Sequence, residues 1–107
     1  MGLDELYEKL KTLDIPCAYH HFVQKVSPPY VVYIDDESET ISADAKNFGL
    51  RRYVRVYLCT KVSMPDLEAR LEAVLDGYAF DKTKLWLDSE EMYQVSYDLE
   101  LIEKGDT

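Results

Sequence analysis

Leu3, Leu6, Tyr7, Leu10 and Leu13 recur at steps of three and four residues. That spacing puts one apolar stripe along a first helix, with Asp4 and Glu5 suited to the positive end of its dipole. Pro16 ends it. Residues 17–23 read as a short strand or extended segment. Ser27-Pro28-Pro29 is then a rigid break, because neither proline can donate to a ladder. The run from Tyr30 to Ile34 is rich in β-formers and continues, increasingly polar, to about Ser42. Its return arm, residues 48–60, alternates. Val54, Val56 and Leu58 share one face of it, and Arg51, Tyr53, Arg55 and Tyr57 share the other.

Ser63-Met-Pro-Asp66 offers an N-cap, a proline in the first turn and an acid three residues after the serine, which predicts a helix start. Leu67, Leu71, Val74 and Leu75 form its apolar face to about Asp76, with Glu68, Arg70 and Glu72 outside and Gly77 closing it. Phe80 and Leu85-Trp86-Leu87 predict a further strand, interrupted by the polar residues 81–84 and turned back by residues 88–91. The last strand alternates most cleanly. Tyr93, Val95, Tyr97, Leu99 and Leu101 point inward, and Gln94, Ser96, Asp98 and Glu100 point outward. Only Met1-Gly2 and residues 104–107 read as frayed ends.

The order helix, strand, long hairpin, helix, hairpin (α-β-β-β-α-β-β) predicts an α+β fold. It is a two-layer sandwich with an antiparallel-dominated sheet, both helices on one face and a long projecting β-hairpin. The other sheet face is left to water or partners. A chain of 107 residues is expected to form one domain, 1–107, that folds without metal or disulfide staples.

Charge changes the picture more than composition does. The net charge is −9, which argues against general affinity for nucleic acid or an anionic membrane. Between Asp35 and Lys61 the signs separate. Asp35, Asp36, Glu37, Glu39 and Asp44 come with no base among them, and Lys46, Arg51, Arg52, Arg55 and Lys61 follow with no acid. On the two arms of one hairpin this makes an acidic tip and a basic return arm, and the nearest acidic surface for that arm is another copy of the chain. Arg51, Arg52, Tyr53, Arg55 and Tyr57, with the five tip acids, are therefore the candidate subunit-interface residues. Basic and aromatic residues interleaved on a strand also resemble a single-strand nucleic-acid platform, but the acids of the tip and of the last strand would repel a phosphate backbone.

Chemistry is sparse. His20 and His21 lie beside Cys17, yet adjacent strand residues point to opposite faces and no further His or CxxC pair completes a tetrahedron. Cys17 and Cys59 are 42 residues apart and are expected to be buried, reduced thiols. No GxGxxG, GxxxxGK[ST] or HExxH occurs, and no carboxylate is singled out as a general acid. No enzyme activity, catalytic residue, cofactor or metal is expected. LDELYEKLKTL after Met1 has neither the charged nor the apolar region of a secretory signal, and no stretch near 18 apolar residues could span a bilayer, so a cytosolic origin is expected.

The runs PPYVVYIDDESETISADAKNF, RRYVRVYLCTK, MPDLEARLEAVLDGYAF and DSEEMYQVSYDLEL resemble the tail terminator or tail-completion (head–tail joining) proteins of long-tailed phages, similar to the lambda-type minor tail protein U. The resemblance spans Leu3 to about Leu101 and lies in pattern, length and order, not in an invariant signature. It implies a virion structural protein, made in the host cytoplasm, whose hexameric ring ends the tail tube and joins it to the head connector or stopper. By position it matches the segment from Asp35 to Arg55 to an extended hairpin used between ring neighbours or toward the tube, and it carries over no catalytic residue. The chain is shorter than many terminators, so a joining or stopper role is a close variant. A small acidic DNA mimic that inhibits a host DNA-binding protein is the alternative, against which the basic block counts.

Overall fold

The structure, a computed structural model, describes residues 3–43 and 46–104. Its elements run α1 (Leu3–Lys11), β1 (Cys17–Tyr19), β2 (Tyr30–Ala43), β3 (Lys46–Thr60), α2 (Pro65–Val74), β4 (Phe80–Leu87) and β5 (Met92–Lys104). The predicted α+β class and element order are both observed. The five strands form one mixed sheet in the order β1-β2-β3-β5-β4. β1 pairs parallel to β2, and every other pairing is antiparallel.

Both helices lie on one face. Leu6, Leu10 and Leu13 from α1 and its following turn meet Leu67, Leu71 and Leu75 from α2. They close over Val31, Tyr33, Val54, Val56, Leu58, Val95, Tyr97, Leu99 and Leu101, all at most 7% exposed. Period-two burial along β3 and β5 follows the predicted faces, because each in-register pair, such as Val56 opposite Tyr97, presents both side chains to the helices. α1 ends in a tight turn, with Asp14 at φ 59°. α2 ends before Gly77, whose φ of 97° is a backbone state that side chains other than hydrogen resist.

Four expectations are corrected. The long β2–β3 hairpin is observed but does not stand alone, because β5 runs on to Lys104 and stays paired with β3 as far as Gly49. Residues 81–84 do not interrupt β4. Lys82 and Lys84 sit on the helix side, where carboxylates of α2 receive them, so a polar run is compatible with a continuous edge strand. Glu68, expected outside, is 6% exposed. Its carboxylate lies 3.0 Å from Lys82 Nζ and 2.7 Å from Lys84 Nζ. Ser63 is not the N-cap. Met64 takes that position with no side-chain bond, and Ser63 Oγ accepts a hydrogen bond from Lys84 Nζ at 2.8 Å instead.

Candidate subunit-interface surface

The sheet face away from the helices carries the odd-numbered residues of β3 and the even-numbered ones of β5, as alternation requires. Arg55 stands opposite Asp98, and its Nε donates to Asp98 Oδ1 at 2.7 Å while Nη1 reaches Tyr57 Oη at 3.4 Å. One step toward the distal end, Arg51 Nε lies 2.7 Å from Glu100 Oε1, a diagonal neighbour across the ladder. Tyr53, between these pairs, and Tyr57, beyond Arg55, are half-buried. Side-chain exposures of 35–52% keep both ion pairs wet, so each contributes at most about 1 kcal/mol to folding.

Arg52 is not part of that strip. It lies in register with Leu101 and turns to the helix side, where its Nη1 meets Asp35 Oδ2 at 2.8 Å. Alternation from Val31 and Tyr33 puts Asp35 on this side, opposite Val54, and a register shift follows between Asp35 and Glu37. Tyr19, exposed at the end of β1, donates its hydroxyl to Asp35 as well. The Asp35 carboxyl is held below the usual carboxylate range first by the Tyr19 hydrogen bond, then by Arg52, with partial burial opposing both. The basic arm is thus divided between two faces, and all three of its arginines have carboxylate partners within the chain. Sequence reasoning missed Asp98 and Glu100 as partners of Arg55 and Arg51, and Tyr19 as a partner of Asp35, since cross-strand register decides them. Asp36, Glu37 and Glu39 are placed by their backbone on β2, and Asp44 lies outside the described residues.

At the other end of the sheet, residues 20–28 lie over the outer face. With Tyr30, Val32, Lys61, Glu90 and Met92 they line an open cleft of about 710 Å³. The outer face is therefore not wholly free, and Cys59 is 5% exposed there. Burial pushes the Tyr30 hydroxyl up to about 12 and raises the Cys59 thiol. Cys17 is half-buried, not fully buried as expected, and its thiol is pushed up by desolvation to about 11. Both thiols are free and neither is poised as a thiolate.

The two histidines are nearer each other than strand alternation allows. The chain leaves β1 at Tyr19, and His20 adopts φ 68°, which brings the two Nδ1 atoms to 2.9 Å. Among the described residues no group of three or more His, Cys, Asp or Glu side chains is arranged to hold a metal ion. None of the described helices is long and apolar enough to cross a membrane.

The architecture is one helix layer packed on one mixed sheet, with a charged three-stranded extension of that sheet. No protein-family model matches the chain, and a search of curated proteins gives no match. Among solved structures the chain is similar to one from the virion of a native gene transfer agent particle, with TM-score 0.73 and 12% sequence identity, over 94% of this chain and 92% of that one. At that identity the likeness establishes a shared fold.

Proposed function

We propose that this chain is a structural subunit of the virion of a long-tailed phage or prophage. In this reading it forms a ring, hexameric by the resemblance already described, that ends the tail tube and joins it to the head connector. The observation that supports the reading most is the fold shared with a gene transfer agent virion chain over nearly the full length of both. The arm formed by β2, β3 and β5 adds to it, in a molecule that is 51 Å long and 25 Å across. The role is assembly and not catalysis, with the tail tube protein, the connector or stopper and further copies of itself as partners.

Acidic DNA mimicry is the less favoured reading. A mimic needs carboxylates spaced like phosphates along one face, and on the outer face Asp98 and Glu100 are each matched by an arginine at 2.7 Å. Negative-stain imaging of the protein, alone and mixed with purified tail tubes, tests the proposal. Rings alone, or rings capping tubes and halting their growth, are expected. A protein that neither forms rings nor alters tube length refutes it.

A further inference from the structure

Among the residues whose side chains the structure describes, Lys25 and Lys61 are the cations left without a partner within the chain. The arginines of the basic arm are paired with acids, Lys82 and Lys84 serve Glu68 and Glu72, and Arg70 donates to the Leu13 carbonyl. Lys9 lies over the Tyr78 ring, and Lys11 is near Glu8 and over Tyr7. Lys25 and Lys61 are both exposed, and both line the cleft at the base of the sheet together with His20 and His21. Glu90 is the one acid among the lining residues. In a chain of net charge −9 this cleft is a local reversal of sign.

The complementary element is β2 beyond Ile34. β1 pairs only with Val31, Val32 and Tyr33, so from Asp35 to Ala43 β2 is an open sheet edge, and its sequence there carries acids and no base. An open edge invites pairing with another chain. At 3.3 Å per residue Glu39 stands roughly 30 Å along the strand from Tyr30 at the cleft. One chain therefore cannot place its own acidic edge in its own cleft, whereas a second copy can. A contact that joins two different surfaces of identical subunits is heterologous, which is the kind that closes rings.

We propose that the acidic distal edge of β2 from one copy docks in the Lys25/Lys61 cleft of the next. This deepens the ring reading and rests on it for its biological setting, but the contact itself is a property of the isolated chain. It also moves the interface cations from the arginine arm to Lys25, which the sequence did not single out, and Lys61, which stood in the basic block but not among the interface candidates.

Two variants test it: Lys25→Glu/Lys61→Glu, which spoils the cleft, and Asp36→Asn/Glu37→Gln/Glu39→Gln, which discharges the edge. Mass is read by light scattering, with circular dichroism melts to confirm folding. Lys25→Ala/Lys61→Ala substitutes for the first variant should the reversed charges disturb the fold. Wild type is expected to assemble, each variant alone to remain monomeric, and an equimolar mixture to give dimers and nothing larger. In such a dimer one intact cleft holds one intact edge, and both remaining surfaces are spoiled. Assembly of either variant at the wild-type level, or a mixture that stays monomeric, overturns the contact while leaving the ring reading to tube capping. A wild type that is monomeric at its highest soluble concentration overturns the contact too, and capped tubes in the same preparation would show that the ring reading survives it.

Discussion

Replacing Lys82 and Lys84 together with methionine should destabilise the fold by stranding the Glu68 carboxylate, and that loss should be reversible by a third substitution. Glu68 is 6% exposed and is reached by both lysines. Glu72, which receives Lys82 Nζ at 2.8 Å and the Tyr97 hydroxyl at 2.9 Å, is wetter and loses less. Breaking a buried ion pair from one side costs about 3–5 kcal/mol. The lysine side chains here keep 30–35% of their surface in water, and screening by that water reduces the expected cost to about 2–3 kcal/mol. Each lysine also sets its Nζ over a ring, Lys82 over Tyr97 at 5.9 Å and Lys84 over Tyr93 at 5.2 Å, and methionine keeps most of the apolar surface of the stem, so packing loss is small. In a domain of this size the melting temperature should fall by roughly 10–20 °C.

The sign of the pH dependence separates this account from a packing effect. In the wild type, burial raises the Glu68 pKa, but hydrogen bonds from Lys84 and Lys82 outweigh it and hold it below the ordinary glutamate value. Its contribution is therefore present above the unfolded value and lost as pH falls through the folded one. In the double variant only burial remains, the folded value rises, and the deficit should shrink as pH falls toward about 4. Adding Glu68→Met should bring stability back to within about 1 kcal/mol of wild type, since a packed apolar group replaces a buried pair at little cost. Calorimetric melts of the three proteins across this pH range check it. A triple variant no more stable than the double, or a deficit that does not change with pH, would refute the electrostatic reasoning.

Gly77→Ala should cost about 1–2 kcal/mol through backbone strain alone. Its φ is 97°, while an added Cβ would meet nothing within 4 Å, and a denaturant titration with unchanged slope is the expected signature. Tyr19→Phe removes the first cause of the low Asp35 pKa, so that carboxyl should titrate at higher pH by NMR, with global stability almost unchanged because Tyr19 is exposed. An Asp35 titration unmoved by Tyr19→Phe would mean that Arg52 alone sets it.

How much of this was legible in the sequence follows from the range over which each feature is decided. Alternation along β3 and β5, and the leucine spacing of α1, are local, and the buried faces fall where those periods put them. Glu68 was misread because its periodicity places it at the rim of the α2 stripe, and only β4, twelve or more residues onward, brings the two lysines that make burial tolerable. Residues 81–84 looked like a loop for the same reason. His20 escaped strand alternation through a positive φ that a non-glycine residue rarely signals in advance. The candidate interface was legible as a list of charges but not as a surface, because adjacent residues of a strand face opposite ways, and Arg52 parts from Arg51 on that ground alone.

That division bears on what an interface made by the arm would cost. Arg51 and Arg55 already hold Glu100 and Asp98 at 2.7 Å, so a neighbour covering them gains no new unpaired charge and must desolvate pairs already formed, a penalty that direct attraction often fails to offset. Such a surface favours register and specificity over affinity. Lys25 and Lys61 spend no intrachain partner when covered, so an acidic strand entering their cleft gains new attraction at lower cost. Affinity between copies should then track the lysines, and discrimination among partners should track the arginines. Salt should weaken assembly of the wild type more steeply than that of the single variant Lys25→Ala, which keeps one of the two cleft charges. A salt dependence that this substitution leaves unchanged would return the decisive charges to the arm.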